Sequence, residues 1–167
     1  GCLAILLVPA ERKDAIRTLA CATTAIPLFL ATKLWLDFDT ANAGYQFVVQ
    51  RDWIEALGVQ YHLGVDGLSV PLIWLTALLL FIAPFASWSI EKGVKGFMLL
   101  LLLLEMGILG VFVSQDLFLF YVFWEIMLLP MYFLIGIWGG ARREYAAIKF
   151  FLYTLAGSVL MLLAIVA

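Results

Sequence analysis

The chain alternates long apolar runs with short polar breaks, at a length that matches a bilayer. A hydrocarbon core of about 30 Å takes roughly 20 apolar residues as a helix. Five segments meet that length after an apolar stub at 1–8: 15–36, 68–88, 96–113, 117–138 and 146–167. Helices are the natural element, because lipid offers no partner to an open sheet edge or an exposed loop. The pattern therefore predicts an all-α polytopic transmembrane helix bundle, in one membrane domain over 1–167. The apolar run at the carboxyl end has no polar stop and the chain opens without methionine, so it is read as a piece of a longer polytopic protein.

The one long break, 37–66, is an extramembrane loop. Tyr45, Phe47 and Val49 alternate with Gln46, Val48 and Gln50, a weak strand signal. Val59–Leu63 is a second strand candidate, with a short turn of helix at Trp53–Leu57 between them. A small hairpin resting on a neighbour fits. At Asp66-Gly67-Leu68-Ser69-Val70-Pro71 the chain returns to the membrane. Ser69 is expected to cap the helix, with Pro71 in its first turn where a missing N–H costs nothing. Asp66 then shapes the turn near the positive end of the helix dipole, or serves as a carboxylate where ions reach the membrane.

Composition agrees with the pattern. Of 167 residues, 65% are hydrophobic and 13% charged, against 45–50% and about 25% in soluble domains. A soluble enzyme with a polar cleft is excluded. So is a nucleic-acid binder, since a net charge of −2 leaves no basic footprint. Two separated cysteines and one histidine build neither a zinc or iron–sulfur site nor a pair of haem ligands. His62 reads as a loop histidine, and the tryptophans near segment ends as an interfacial belt.

Charge sets orientation. Arg12, Lys13, Arg17, Lys92, Lys95, Arg142, Arg143 and Lys149 flank one set of connections, and only Lys33 and Arg51 the other. This positive-inside asymmetry turns the basic connections toward the cytoplasm, matrix or stroma.

Two acids fall inside apolar segments. A carboxylate at mid-bilayer costs roughly 2.5–3.5 kcal/mol on insertion scales and is a functional candidate for that reason. Glu105 and Glu125 each lie ten residues from Gln115, in the tight Ser114–Asp116 connection. At about 1.5 Å per residue both stand roughly 15 Å from the turn. They are expected as a pair at one depth on adjacent helices, each perturbing the other's ionisation. Such groups hold and release protons; the plain alternative is a protonated acid sealing a helix contact, most open for Glu105 beside Gly107 and Gly110. Tyr121, Glu125, Tyr132 and Gly136 share one helix face, and Pro130 leaves the Ile126 carbonyl unbonded one residue from Glu125. Lys149, with Tyr153 one turn deeper, lies nearer the basic end and either snorkels or joins a polar path. Gly157 and Ser158 read as small-residue packing.

The motifs Tyr61–Leu72 (YHLGVDGLSVPL), Gly110–Gly140 (GVFVSQDLFLFYVFWEIMLLPMYFLIGIWGG) and Lys149–Leu160 (KFFLYTLAGSVL) resemble subunit M of the type I, proton-pumping NADH–quinone oxidoreductases. That resemblance implies about helices 1–6 of a fourteen-helix antiporter-like fold, in the cell inner membrane or its mitochondrial or thylakoid counterpart. It implies proton translocation coupled to NADH oxidation and quinone reduction on partner subunits of a large hetero-oligomeric complex. Glu125, in Phe123-Trp124-Glu125, matches the family's proton-channel glutamate, whose lysine partner belongs to a seventh helix beyond Ala167. Glu105 and Lys149 are secondary relay candidates. No cofactor is expected on this chain; flavin, iron–sulfur clusters and quinone would sit on partner subunits. The alternatives are a subunit of a multisubunit cation/proton antiporter, and a passive scaffold.

Overall fold

A computed structural model describes residues 1–42, 44–54 and 58–166. In chain order the elements are α1 (Cys2–Leu7), α2 (Lys13–Asp37), β1 (Gln46–Ile54), β2 (Val59–Val65), α3 (Ser69–Ala86), α4 (Val94–Val113), α5 (Leu117–Trp138) and α6 (Arg143–Val166). Five of the described helices, α2 to α6, are long and apolar enough to cross a membrane. The chain is a membrane protein of the all-α class.

Helices α2, α3 and α4 form the core, and α5 and α6 continue the sheet of helices outward from α4. Two apolar clusters fill the core at different depths. Toward the basic end, Ile5, Ile16, Ala20 and Leu80 meet Met98, Leu101 and Leu102. Toward the other end, Ala31, Val70, Ile73 and Ala77 gather, with Leu109 and Phe112 of α4 packed on them.

The basic end is tied by specific bonds. Arg17, expected only to orient the chain, is buried: its side chain is 6% accessible. It donates to Asp14, to Glu91 and to the Ile90 carbonyl, with its guanidinium 5.5 Å from the centre of the Trp88 ring. Lys13 bonds Glu91 at 2.6 Å. These cations, Lys13 first and then Arg17, hold the Glu91 carboxyl down at about 2. Lys95 donates to the Leu6 and Val8 carbonyls, satisfying the open end of α1. Trp138 donates its indole N–H to the Lys92 carbonyl and sets its ring edge-on to Phe97.

At the opposite end the two strands pair antiparallel. Trp53 and Ile54 continue β1 instead of opening a helical turn, and residues 55–57 lie outside the described residues. The alternation is weak for a visible reason. Phe47 takes a left-handed φ of 53° at a register shift between Gln46 and Val49, so one bulge breaks the two-residue period. Two strands alone are marginal in water, and here β2 is anchored on the α4–α5 turn. Gln115 donates its amide to the His62 carbonyl and its side chain to the Gly64 carbonyl. Gln60 in turn donates to the Asp116 carboxylate.

Helix α3 is capped differently from the sequence expectation. Asp66, not Ser69, plays the capping role: its carboxylate accepts from the Leu68 and Ser69 amides, and the Ser69 hydroxyl accepts from the Asp66 amide. This reciprocal capping box holds the Asp66 carboxyl below its ordinary value, first through the Ser69 amide and then its hydroxyl.

Candidate transmembrane carboxylate site

Helices α4 and α5 form a tight antiparallel hairpin whose turn is fixed by Asp116. Its carboxylate accepts from the Phe118 and Leu119 amides, capping α5. Glycine sets how closely the helices approach. A Cβ added at Gly110 would fall 2.2 Å from the Phe123 ring, and one at Gly107 would fall 2.7 Å from Met127 Cγ. No side chain fits at either position.

This close seam decides where the two acids point. Glu105 stands eight residues before the end of α4 at Val113, and Glu125 eight after the start of α5 at Leu117. Both therefore lie about 12 Å from the turn. Phe123 and Met127 flank Glu125 two residues away on either side, so at about 100° per residue they occupy the opposite face of α5. Glu105 is likewise turned away from Gly107 and Gly110. The acids share a depth, but the α4–α5 contact separates them, and its axes alone span about 8–10 Å. The expected mutual perturbation across a shared space is not what the fold builds.

Glu105 faces the core. It shares a face with Met98, Leu101 and Leu102 below and with Leu109 and Phe112 above. It is 4% accessible, and its Oε1 has no hydrogen-bond partner. On α2, Thr24 occupies the same level: it is fully buried between Ala20 and Ala31 and donates within its own helix to the Ala20 and Cys21 carbonyls. A polar layer thus separates the two apolar clusters. Thr24 was not singled out in the sequence. Its signal was a threonine at the same eleven-residue distance from the start of α2 as Glu105 from the start of α4.

Glu125 faces α6. The stripe of Tyr121, Glu125, Tyr132 and Gly136 lies along this seam: Gly136 meets Ala147 and the Tyr132 ring packs edge-on to Phe151 at 5.4 Å. The Tyr121 phenol sits beside both Glu125 and Ser158. The Glu125 Oε1 atom is buried without a hydrogen-bond partner. Ser158 is 3% accessible, whereas Gly157 has open space around it, so only one of the two small residues packs.

Lys149 is exposed in the second turn of α6, 5.8 Å from the centre of the Tyr145 ring. It lines a groove with Arg142, Arg143 and Tyr153 at the α5–α6 turn. It is not brought to Glu125: Phe151, two residues on, already lies against Tyr132, seven residues beyond Glu125. Among the described residues no cluster of three or more His, Cys, Asp or Glu could hold a metal ion. The polar groups described at mid-depth include the Glu105 and Glu125 carboxyls and the Thr24, Tyr121 and Ser158 hydroxyls.

Residues 114–167 match the family described as NADH:quinone oxidoreductase/Mrp antiporter, TM. Among curated relatives, the chain is 47% identical over 159 residues to NADH-quinone oxidoreductase subunit M of Rhodobacter capsulatus, covering 95% of this chain and 30% of the relative. It is 44% identical over 167 residues to NAD(P)H-quinone oxidoreductase chain 4 1 of a Picosynechococcus species, covering 99% and 31%. Its fold superposes on a chain of respiratory complex I from Thermus thermophilus with bound NADH, with a TM-score of 0.81 and 32% identity over 98% of this chain and 32% of that one. A chain of the Mrp complex from Dietzia shares the fold, with a TM-score of 0.76 at 24% identity over 96% of this chain and 17% of that one. The chain spans about a third of the length of these curated relatives.

Proposed function

Because this chain belongs to the antiporter-like membrane-subunit family of the NADH–quinone oxidoreductases, we propose that it is part of a subunit M that carries protons across the membrane while partner subunits oxidise NADH and reduce quinone. Its relatives are subunits of large assemblies. Its partners would be the other membrane and peripheral subunits, in a bacterial inner membrane or the corresponding organellar one. Flavin, iron–sulfur clusters and quinone would belong to those partners.

Glu125 is the main protonatable group in this reading. The observation that supports it is a carboxyl group about 12 Å from the α4–α5 turn, with Oε1 buried and unpartnered on the polar face of an otherwise apolar helix. Leaving such a group unbonded costs free energy, a cost repaid when the group exchanges a proton with water or a polar neighbour during turnover. Glu105 and Lys149 are secondary relay positions. Glu105 would serve the α2–α3 side, and Lys149 the basic end of α6.

The test is Glu125→Gln in the full-length subunit, within the assembled complex. NADH-driven proton pumping should fall to background with assembly preserved, while normal coupled pumping would overturn the assignment. The family description also covers Mrp antiporters. On that second reading antiporter subunits co-purify with the chain, and cation/proton exchange proceeds without NADH.

A further inference from the structure

Of the hydroxyl groups at the α5–α6 seam, those of Tyr121 and Ser158 adjoin Glu125, and the proton site as described does not use them. Along its described length α6 buries only Ala147 and Ser158. Ala147 meets Gly136, which leaves Ser158 as the one fully buried polar side chain among the described residues of α6; Thr154, one turn earlier, is half-buried beside Trp124 and Met127. Its hydroxyl donates to the Leu155 carbonyl at 3.1 Å within the same helix, so its lone pairs remain available to α5. Opposite stands Tyr121, one turn before Glu125 on the same face. Its phenol has both Ser158 and Glu125 as side-chain neighbours. The Glu125 Oε1 atom nevertheless has no hydrogen bond. Donor, acceptor and unpartnered carboxyl oxygen thus share one seam.

We propose that Tyr121, backed by Ser158, is the positioning residue of the Glu125 carboxyl group. With Glu125 ionised, the Tyr121 O–H donates to Oε1, and the Ser158 O–H leaves the Leu155 carbonyl to donate to the phenol oxygen. With Glu125 protonated, the carboxyl O–H donates to the phenol oxygen and the Tyr121 O–H turns to the Ser158 oxygen. Tyrosine and serine keep their own protons throughout; only the direction of the hydrogen bonds reverses. The carboxyl group is held at the α6 seam in both states, on the side of α5 away from Glu105. This inference rests on the reading of Glu125 as the protonatable site.

The test uses infrared difference spectra of the assembled complex containing the full-length subunit. The carboxyl bands lost in Glu125→Gln identify Glu125, and they should shift in Tyr121→Phe and in Ser158→Ala. Ser158→Thr, which keeps the hydroxyl, should restore the parent position. Pumping in Tyr121→Phe should slow roughly tenfold, the factor that one hydrogen bond to a charged group carries. A Glu125 band unmoved in Tyr121→Phe overturns the inference. Should that variant not assemble, a band unmoved in Ser158→Ala overturns it. Failure of the functional reading looks different: Glu125→Gln then pumps normally, whether or not its band moves in the tyrosine and serine variants.

Discussion

Glu105 and Glu125 stand at one depth on neighbouring helices and point in opposite directions, Glu105 into the α2–α3 core and Glu125 to the α6 seam. The glycine contact between α4 and α5 lies between them. Two acids so placed act as independent sites. The loss of heat resistance in the double variant Glu105→Gln/Glu125→Gln should equal the sum of the single losses to within about 0.5 kcal/mol. Thermal denaturation of the assembled complex measures this, and a coupling above about 1 kcal/mol would show that the two carboxyls communicate directly.

Glu105 carries an unpartnered oxygen in an apolar layer. Glu105→Met, similar in length and free of that oxygen, is expected to hold or raise thermal stability, by up to about 1–3 kcal/mol. A marked loss of stability would mean that the carboxyl group seals a helix contact through a bond it forms in the assembled complex.

Gly110 has no room for a methyl group, since a Cβ there would fall inside the Phe123 ring contact. Gly110→Ala should force α4 and α5 apart and cost about 1–3 kcal/mol, as overpacking does. The yield of intact complex should drop accordingly. Gly157→Ala, at a position with open space, is the matched control and should assemble as the parent does.

Asp116 serves α5 and the hairpin at once, accepting from Phe118, Leu119 and Gln60. Asp116→Ala removes the cap and should cost about 0.5–2 kcal/mol. Asp116→Asn keeps an acceptor and should retain most of that stability. Protease sensitivity of the hairpin in the two variants reads the difference.

Glu91 links acid to the basic end. Its carboxyl is lowered from 4.5 to about 2 by Lys13 and then Arg17. The folded state binds the proton more weakly than the unfolded chain, so the contribution of Glu91 is complete above pH 4.5 and fades as the pH falls toward 2. Heat resistance of the complex measured across that window should decline less steeply in Glu91→Gln. An identical pH slope in parent and variant would sink the assignment.

The helical layout was legible because membrane spans announce themselves by length and hydropathy, and the basic residues gathered at one end as the charge asymmetry required. The depth of the acids was legible too, from counting along a tight hairpin. What counting along one helix does not give is azimuth relative to a neighbour. Gly107 and Gly110 were visible as small residues, but their partners Phe123 and Met127 were not, and those contacts turn Glu105 away from Glu125. The burial of Arg17 at that basic end was not legible for a related reason: its partners Glu91 and Ile90 are more than 70 residues distant. The β1 bulge at Phe47 hid the strand period, and the Asp66 cap was one turn earlier than the nearest serine suggested.

The glycine seam also has a mechanical meaning. Where Phe123 and Met127 fill the space that side chains at 107 and 110 would need, sliding or rolling of α4 against α5 is sterically blocked, and the two helices travel as one rigid body. Any movement that re-aims Glu125 must then be taken up on its other side, where α6 meets α5 through Gly136, Tyr132 and Ser158.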